Sequence, residues 1–217
     1  MKFSDVQRQL DEVYVRAIKT GVSVRQNYPS VDAPRRIGEL AGASVALKNI
    51  PYRQIYAEFD THSLYHLKLA DGALMQFQYT FDEKGELTKH RLAYFPCPEL
   101  PSAEEAPELY AHDELYGDII LDRLVRFPIR FDYDPASYQP VFHAHSHLTL
   151  GQFDNCRIPA SHPLSPYAFL LFVVRNLYFR IYRKQQNTFE KRLSGCHSQE
   201  CITDLERRVT SVVIAKC

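Results

Sequence analysis

The sequence predicts an α+β fold in which an antiparallel β-sheet, arranged as a meander, is packed by an N-terminal helix and a long C-terminal helix. Three observations support this prediction: helical spacing of apolar residues near the N-terminus, strand-like segments through the middle, and a long helical pattern after Pro166. With 217 residues and 45% hydrophobic content, the chain is long and apolar enough for one domain spanning residues 1–217.

The N-terminal part, residues 1–43, is predicted to be helical. Apolar residues between Phe3 and Ala17 follow the i, i+3, i+4 spacing of an amphipathic helix. The prolines that follow would end this helix, and the segment RRIGELAGA (35–43) predicts a second, shorter one.

Residues 44–165 are predicted to be mainly β. Five segments here are rich in β-branched and aromatic residues: SVALKNI, RQIYAEFD, SLYHLKLA, ALMQFQYTF and LTKHRLAYF. Asp71-Gly72 and Lys84-Gly85 predict hairpin turns between the later segments. An acidic, proline-rich loop at 96–108 and a predicted helix, DELYGDIILDRLV, separate them from two more strands, RFPIRFDYD and a histidine-rich segment.

The C-terminal part, residues 166–217, is predicted to be a long helix followed by a tail. Pro166 suits the first helical turn and Ser165 suits its cap, and the helical pattern continues to about Leu193. The tail, DLERRVTSVVIAK, predicts a final helical turn and a strand.

Charge and cysteine content predict a cytoplasmic protein. Lys and Arg balance Asp and Glu at 26 each, so the overall charge favours neither nucleic acid nor a membrane as partner. The longest apolar run, AFLLFVV, is too short to cross a bilayer. Five cysteines, an odd number, are more typical of reduced thiols than of a disulfide framework.

The segment PVFHAHSHLTLGQ (140–152) is the strongest candidate for a site, because His143, His145 and His147 alternate along it. On a strand, all three imidazoles would point to one face. Residues two apart lie roughly 7 Å from each other, so neighbouring histidines could share a ligand, whereas His143 and His147 would lie about 13 Å apart.

One chemistry open to this segment is a divalent metal site, with zinc or manganese as the ion. His143 and His145 would be ligands, or else His145 and His147. Asp134 from a neighbouring predicted strand would complete the set, with Asp132 and His90 as alternatives.

The rival chemistry is acid–base catalysis by His143, His145 and His147, in which one imidazole takes a proton from a ribose hydroxyl and another donates one to the leaving oxygen. HLTL (147–150) resembles half of the two-histidine phosphoesterase signature, and HLKL (66–69) is the nearest second copy. Arg157, just beyond the segment, could clamp a phosphate. The leading hypothesis is therefore a hydrolase of a phosphodiester in RNA or a nucleotide.

Three other interpretations stay open. The histidines could be purely structural. The chain could be a non-enzymatic module that docks a neighbouring-gene protein through its acidic loop or through the basic second half of the long C-terminal helix, which carries Arg180, Arg183 and Lys184. It could also form a homodimer through aromatic residues of the sheet (Tyr52, Tyr56, Phe77, Tyr79). It could also be a metal-binding regulator in which the histidine segment senses an ion.

The combination FDYDP…P-x-x-H-x-H…RIP…PLSP-x-x-F…RNLY, from Phe131 to Tyr178, resembles a bacterial family known only as a domain of unknown function. The family's His-x-His would correspond to His145 and His147, or to His143 and His145. The resemblance implies that these histidines, Arg157 and the start of the long helix form one functional neighbourhood. By analogy with small proteins of such families, it also suggests a toxin or phage-defence setting.

Overall fold

The computed structural model describes residues 1–32, 35–40, 50–99, 127–153, 155–191, 193, 195 and 197–214. The predicted α+β fold is confirmed, because these residues form an antiparallel sheet with one helix at the N-terminus and others near the C-terminus. No described helix has the length and apolar character that a membrane span requires.

Nine described strands form the sheet: β1 (Ser23–Gln26), β2 (Val31–Asp32), β3 (Arg36–Ile37), β4 (Leu67–Leu69), β5 (Leu74–Phe81), β6 (Leu87–Phe95), β7 (Ile129–Tyr133), β8 (Ser146–Leu150) and β9 (Ile158–Pro159). Their order is β1-β4-β5-β6-β7-β8-β9, and β3 pairs with both β2 and β5. The helices are α1 (Phe3–Lys19), α2 (Tyr52–Thr61), α3 (Pro166–Leu177), α4 (Phe179–Lys184) and α5 (Gln186–Phe189).

One face of the sheet carries the main core. Helix α1 buries the apolar stripe that its sequence predicts, from Val6 to Ala17, and α3 packs beside it. Phe169 of α3 meets Phe77 and Phe131 of the sheet edge-to-face, with ring centroids 5.7 and 6.2 Å apart. Burial of aromatic rings of this size supplies a large share of the free energy of folding.

The opposite face of the sheet is divided into an apolar half and a polar half. Helix α2 packs its Ile55 and Phe59 over Leu74, Ala93 and Phe95. Further along the same face, the alternating positions of β5 and β6 become polar. This polar half continues across β7 and β8.

Several predicted elements are wrong. Residues 1–43 are not helical throughout, because strands β1 and β2 lie within them. RQIYAEFD forms most of α2 rather than a strand, because Ile55, Tyr56 and Phe59 bury one side of a helix that begins after Pro51. In the part of 35–43 that the structure describes, Arg36–Ile37 form a strand instead of a helix, paired with β5.

The long C-terminal helix is interrupted. Ser165 caps α3 as predicted, its Oγ accepting from the Ala168 N–H at 3.3 Å. At Tyr178 the backbone leaves the helical region (φ −127°, ψ 50°), and α4 and α5 follow as separate short helices. The Tyr178 hydroxyl donates to Asp71 at 2.6 Å and contacts the Tyr94 hydroxyl at 3.0 Å, which ties the break to the sheet.

The remaining predictions concern the hairpin turns, the segment between β6 and β7, and a homodimer face. Both predicted hairpin turns form, with Gly72 and Gly85 at positive φ. The acidic loop at 96–108 is described only as far as Glu99, and the helix predicted at 113–125 lies outside the described residues. Phe77 and Tyr79, considered for a homodimer face, are buried in the main core.

Two buried histidines predict how stability depends on pH. His66 Nδ1 accepts from the Phe77 N–H at 2.9 Å, and His90 Nε2 accepts from the Leu164 N–H at 3.0 Å. Burial lowers the pKa of His66 to about 3 and that of His90 to about 4. Because both depressed values belong to the folded state, stability should fall as pH drops below about 6.5, where the unfolded histidines begin to bind protons.

At about pH 5 each of these histidines should cost roughly 2 kcal/mol relative to neutral pH. His90→Gln keeps an acceptor for Leu164 but cannot titrate, so its free energy of unfolding should depend less on pH than that of the wild type. Urea unfolding at several pH values measures this. Equal pH dependence in the two proteins would contradict the assignment of His90.

Candidate functional site

A small cleft of about 100 Å³ opens on the polar half of the sheet, over strands β6, β7 and β8. Its walls carry four cations, two carboxylates and two imidazoles: Lys89, Arg91, Arg130, Arg157, Asp132, Asp134, His143 and His147. Thr149, Phe153, Cys156 and His90 complete the lining, although the His90 ring itself faces the main core.

Strand register brings the central residues of the cleft together. Arg91 of β6 lies opposite Asp132 of β7, which lies opposite His147 of β8. Two residues before Asp132 on β7, Arg130 lies opposite Thr149 of β8. Since side chains two apart on a strand share a face, all five project from the same side of the sheet.

The Asp132 carboxylate lies at the centre of this arrangement. Arg91 Nε donates to its Oδ1 at 2.9 Å, and Arg130 Nε lies 3.9 Å from Oδ2. Burial alone would raise the pKa of Asp132, but Arg91 and Arg130 outweigh that effect and hold the pKa below its ordinary value. Asp132 is therefore an anion at neutral pH and orients both guanidinium groups.

His147 is a buried, neutral imidazole. Its Nδ1 donates to the Ala144 carbonyl at 3.0 Å, so the lone pair is on Nε2, which lies 3.9 Å from Asp132 Oδ2. Burial lowers the pKa of His147, and the nearby Asp132 carboxylate offsets part of that effect. His147 therefore offers a proton acceptor to the cleft at neutral pH.

His143 is anchored in the same way. Its Nδ1 lies 2.6 Å from the Ser137 carbonyl, which can only accept, so Nε2 again carries the lone pair when the ring is neutral. The rings of His143 and His147 lie 4.8 Å apart between centroids. The expectation that these two residues lie about 13 Å apart is wrong.

The local backbone explains that error. Strand β8 begins only at Ser146, so His143 and His145 precede it. Val141 has a positive φ of 68°, and Gln139 and His143 form an antiparallel bridge, so the chain reverses before the strand. The turn folds His143 back toward His147 instead of extending it along the same strand.

His145 lies outside the cleft. Its ring stacks on Tyr138, with centroids 3.9 Å apart and planes 9° apart. Asp134 does line the cleft, but its carboxylate is bound by Lys89 Nζ at 2.6 Å and by Ser137 Oγ at 3.1 Å. The predicted metal set of His143, His145 and Asp134 is thus not brought together, and no three His, Cys, Asp or Glu side chains in the described parts of the chain are arranged to hold a metal.

The other candidate histidines point elsewhere. The side chain of His90 faces the main core, where it accepts from Leu164, and is therefore not a ligand in the cleft. His66, the first residue of the HLKL segment, is buried beside β4, three strands from β7 in the sheet order. The second half of a two-histidine phosphoesterase site is therefore absent from the position that the sequence suggested.

The cleft is rich in positive charge. Four cations face two carboxylates, which leaves an excess of two positive charges before the histidines are counted. The Arg130 side chain is 14% exposed, and its buried Nε has no hydrogen-bond partner among the described residues. Burial lowers the pKa of Arg130, and the cations Arg91 and Arg157 act in the same direction despite Asp132. Such a group is well suited to bind an anion.

Arg157, predicted as a phosphate ligand, does line the cleft. Lys89, Arg91 and Arg130 were missed by sequence reasoning. The alternation of side chains along a strand could have indicated them. Lys89 and Arg91 lie two apart on one predicted strand, and Arg130 and Asp132 lie two apart on another, so each pair shares one face. Only the pairing of β6 with β7 shows that these two pairs face the same side.

Comparison with known proteins identifies a family. Residues 22–214 match the family described as an uncharacterized conserved protein (DUF2290). This match confirms the resemblance to a family of unknown function and extends it well beyond Phe131–Tyr178. No curated protein and no solved structure matches the chain.

The cleft predicts binding of inorganic phosphate. Arg157→Gln should weaken phosphate binding about tenfold or more, because a charge-assisted hydrogen bond is worth about 1.5–3 kcal/mol. Isothermal titration of phosphate into each protein measures the effect. Arg183→Gln on α4 is the matched control, since Arg183 lies over the Phe179 ring and is not among the residues that line the cleft. Equal affinities for the wild type and both variants would refute this assignment.

Proposed function

We propose that the chain, which belongs to the uncharacterized conserved protein family DUF2290, is a hydrolase that cleaves a phosphodiester in RNA or a nucleotide. The observation that supports this proposal most is the pair of imidazoles, His143 and His147, at one cationic cleft. Each ring donates through Nδ1 to a backbone carbonyl, so Nε2 is the atom available for proton transfer.

The two histidines would divide the roles of acid and base. His147 is buried and neutral, so its Nε2 takes the proton of the ribose 2′-hydroxyl. The 2′-oxygen forms a bond to phosphorus as the bond to the 5′-oxygen breaks. His143, which is half-buried, acts in its protonated form and donates a proton to the departing 5′-oxygen.

This step gives a 2′,3′-cyclic phosphate and a free 5′-hydroxyl. Hydrolysis of the cyclic phosphate reverses the roles: His143, now neutral, takes a proton from water, and His147, now protonated, returns one to the 2′-oxygen. Both residues end in their starting states, so the cycle is balanced.

The cations would bind the phosphate oxygens. Arg130 and Arg157 line the cleft beside the two imidazoles, and planar guanidinium groups match the geometry of phosphate. Their fixed positive charge would stabilise the additional negative charge that develops at phosphorus in the transition state. Asp132 positions Arg91 and Arg130 and does not contact the substrate in this account.

The cytoplasm is the compartment we propose, since RNA is present there and the cysteine content is consistent with reducing conditions. A toxin or phage-defence setting would suit a small RNA-cleaving protein. That part of the proposal rests on analogy.

The proposal predicts that two of the three alternating histidines are essential and the third is not. His143→Asn and His147→Asn keep a donor for the Ser137 and Ala144 carbonyls but remove Nε2, so each should lower the rate about 10²- to 10⁴-fold. His145→Phe preserves the ring stacked on Tyr138 and should stay near the wild-type rate. Cleavage of a short oligoribonucleotide, followed by chromatography, measures all three. An inactive His145→Phe beside active His143 and His147 variants would reverse the assignment.

The proposal also predicts a shift in the pH profile. The Asp132 carboxylate raises the pKa of His147, so Asp132→Asn should lower that pKa further while leaving an acceptor for Arg91. The acidic limb of kcat/KM should move to lower pH, since His147 then stays neutral in more acidic solution. Titration of the His147 ring by NMR measures the same pKa without catalysis. A shift to higher pH in either experiment would contradict the role of Asp132.

A further inference from the structure

Phe153 exposes its phenyl ring at the cleft, although the ring is not part of the hydrophobic core. Phe153 lines the cleft together with His143, His147 and Arg157, yet the residue is 73% exposed. Phe142, next to His143 in the chain, is 79% exposed. Leaving large apolar side chains in water forgoes the free energy that burial would supply, so exposed aromatic residues beside a site suggest contact with a ligand.

The turn after β8 fixes where the Phe153 ring lies. Gly151 has φ +67°, and its N–H donates to the Pro128 carbonyl at 2.7 Å, which ties the turn to the chain just before β7. A Cβ at Gly151 would lie 3.3 Å from two atoms of the Phe153 ring. One part of the ring therefore lies against the Gly151 backbone, while most of its surface is open to solvent.

The size of the cleft limits what can enter it. Its volume of about 100 Å³ is well below the roughly 300–1,000 Å³ typical of pockets that enclose a whole small molecule. A phosphate group can enter among the guanidinium groups, but the rest of a nucleotide must lie outside. The Phe153 ring is a flat apolar surface at that position.

We infer that Phe153 stacks on a nucleobase and that the ligand of the cleft is single-stranded RNA. The inference rests on the proposed function and specifies its substrate. Bases in a duplex are covered by their neighbours, whereas bases in a single strand are free to stack on an aromatic side chain. Stacking tolerates any base because every base has a π-face, so recognition by Phe153 should depend little on sequence.

The test compares two ligands that share a backbone. Fluorescence anisotropy measures binding of a short labelled oligoadenylate and of an abasic ribose-phosphate oligomer of equal length. Phe153→Ala should weaken oligoadenylate binding about tenfold or more and leave abasic binding unchanged. Phe153→Tyr keeps the aromatic face and should bind like the wild type.

Phe179→Ala is the matched control, because Phe179 is also an exposed phenylalanine, at 53%, but lies on α4, next to helices of the main core. It should bind both oligomers like the wild type. Excess unlabelled duplex RNA should compete less well than excess unlabelled single strand.

Measuring both binding and cleavage of the oligoadenylate distinguishes the stacking role of Phe153 from the proposed hydrolysis. Oligoadenylate that binds through Phe153 but is not cleaved would support the stacking role and refute the hydrolase. Cleavage that proceeds with no effect of Phe153→Ala on binding would support the hydrolase and overturn the stacking role. No binding of the oligoadenylate, or equal losses for the two oligomers, would also overturn it.

Discussion

The ion pairs of Asp132 are the interaction on which the cleft depends. A buried carboxylate without partners would be strongly destabilising. Here Arg91 on the neighbouring strand β6 and Arg130 on the same strand, β7, compensate its negative charge. The carboxylate holds Arg91 through a hydrogen bond and lies 3.9 Å from Arg130, whose buried Nε–H lacks a hydrogen-bond partner among the described residues. The same carboxylate faces His147, so the cations and the imidazole form one electrostatic unit.

The two faces of the sheet differ in composition, since one carries the main core and the other carries the candidate site. Phe77 and Phe131 pack against α3 on one face, where burial of apolar surface stabilises the fold. On the other face α2 covers only the part near Leu74 and Phe95. The remainder of that face is polar over β6, β7 and β8, and a rigid central sheet can hold charged groups there without disturbing the main core.

Local signals explain what could be predicted from the sequence. Ser165 and Pro166 mark the start of a helix, and Gly72 marks a hairpin, because each of these residues acts through its own backbone or side chain. The strand prediction at Ile55 and Phe59 failed because a short apolar run suits either a strand or one side of a helix. The break at Tyr178 is accompanied by a hydrogen bond from its hydroxyl to Asp71, more than a hundred residues earlier, which no local pattern reveals.

The location of the candidate site could be predicted, and so could some of its residues, including His143, His147 and Arg157, but its full composition could not. Alternation along PVFHAHSH suggested a continuous strand, whereas the positive φ of Val141 produces a turn that brings His143 to His147 and directs His145 away. A positive φ at a β-branched residue runs against its local preference and is imposed by the surrounding structure. The contribution of Arg91 and Arg130 depends on the register of β6 with β7, which is a non-local property.

A crystal structure of the protein with adenosine 3′-monophosphate would show whether the cleft binds the phosphate of a nucleotide. We expect the phosphate to lie in the cleft, within hydrogen-bond distance of Arg130, Arg157 and Nε2 of His147, with the adenine against Phe153. A nucleotide bound elsewhere on the protein, with the cleft unoccupied at saturating ligand, would contradict it.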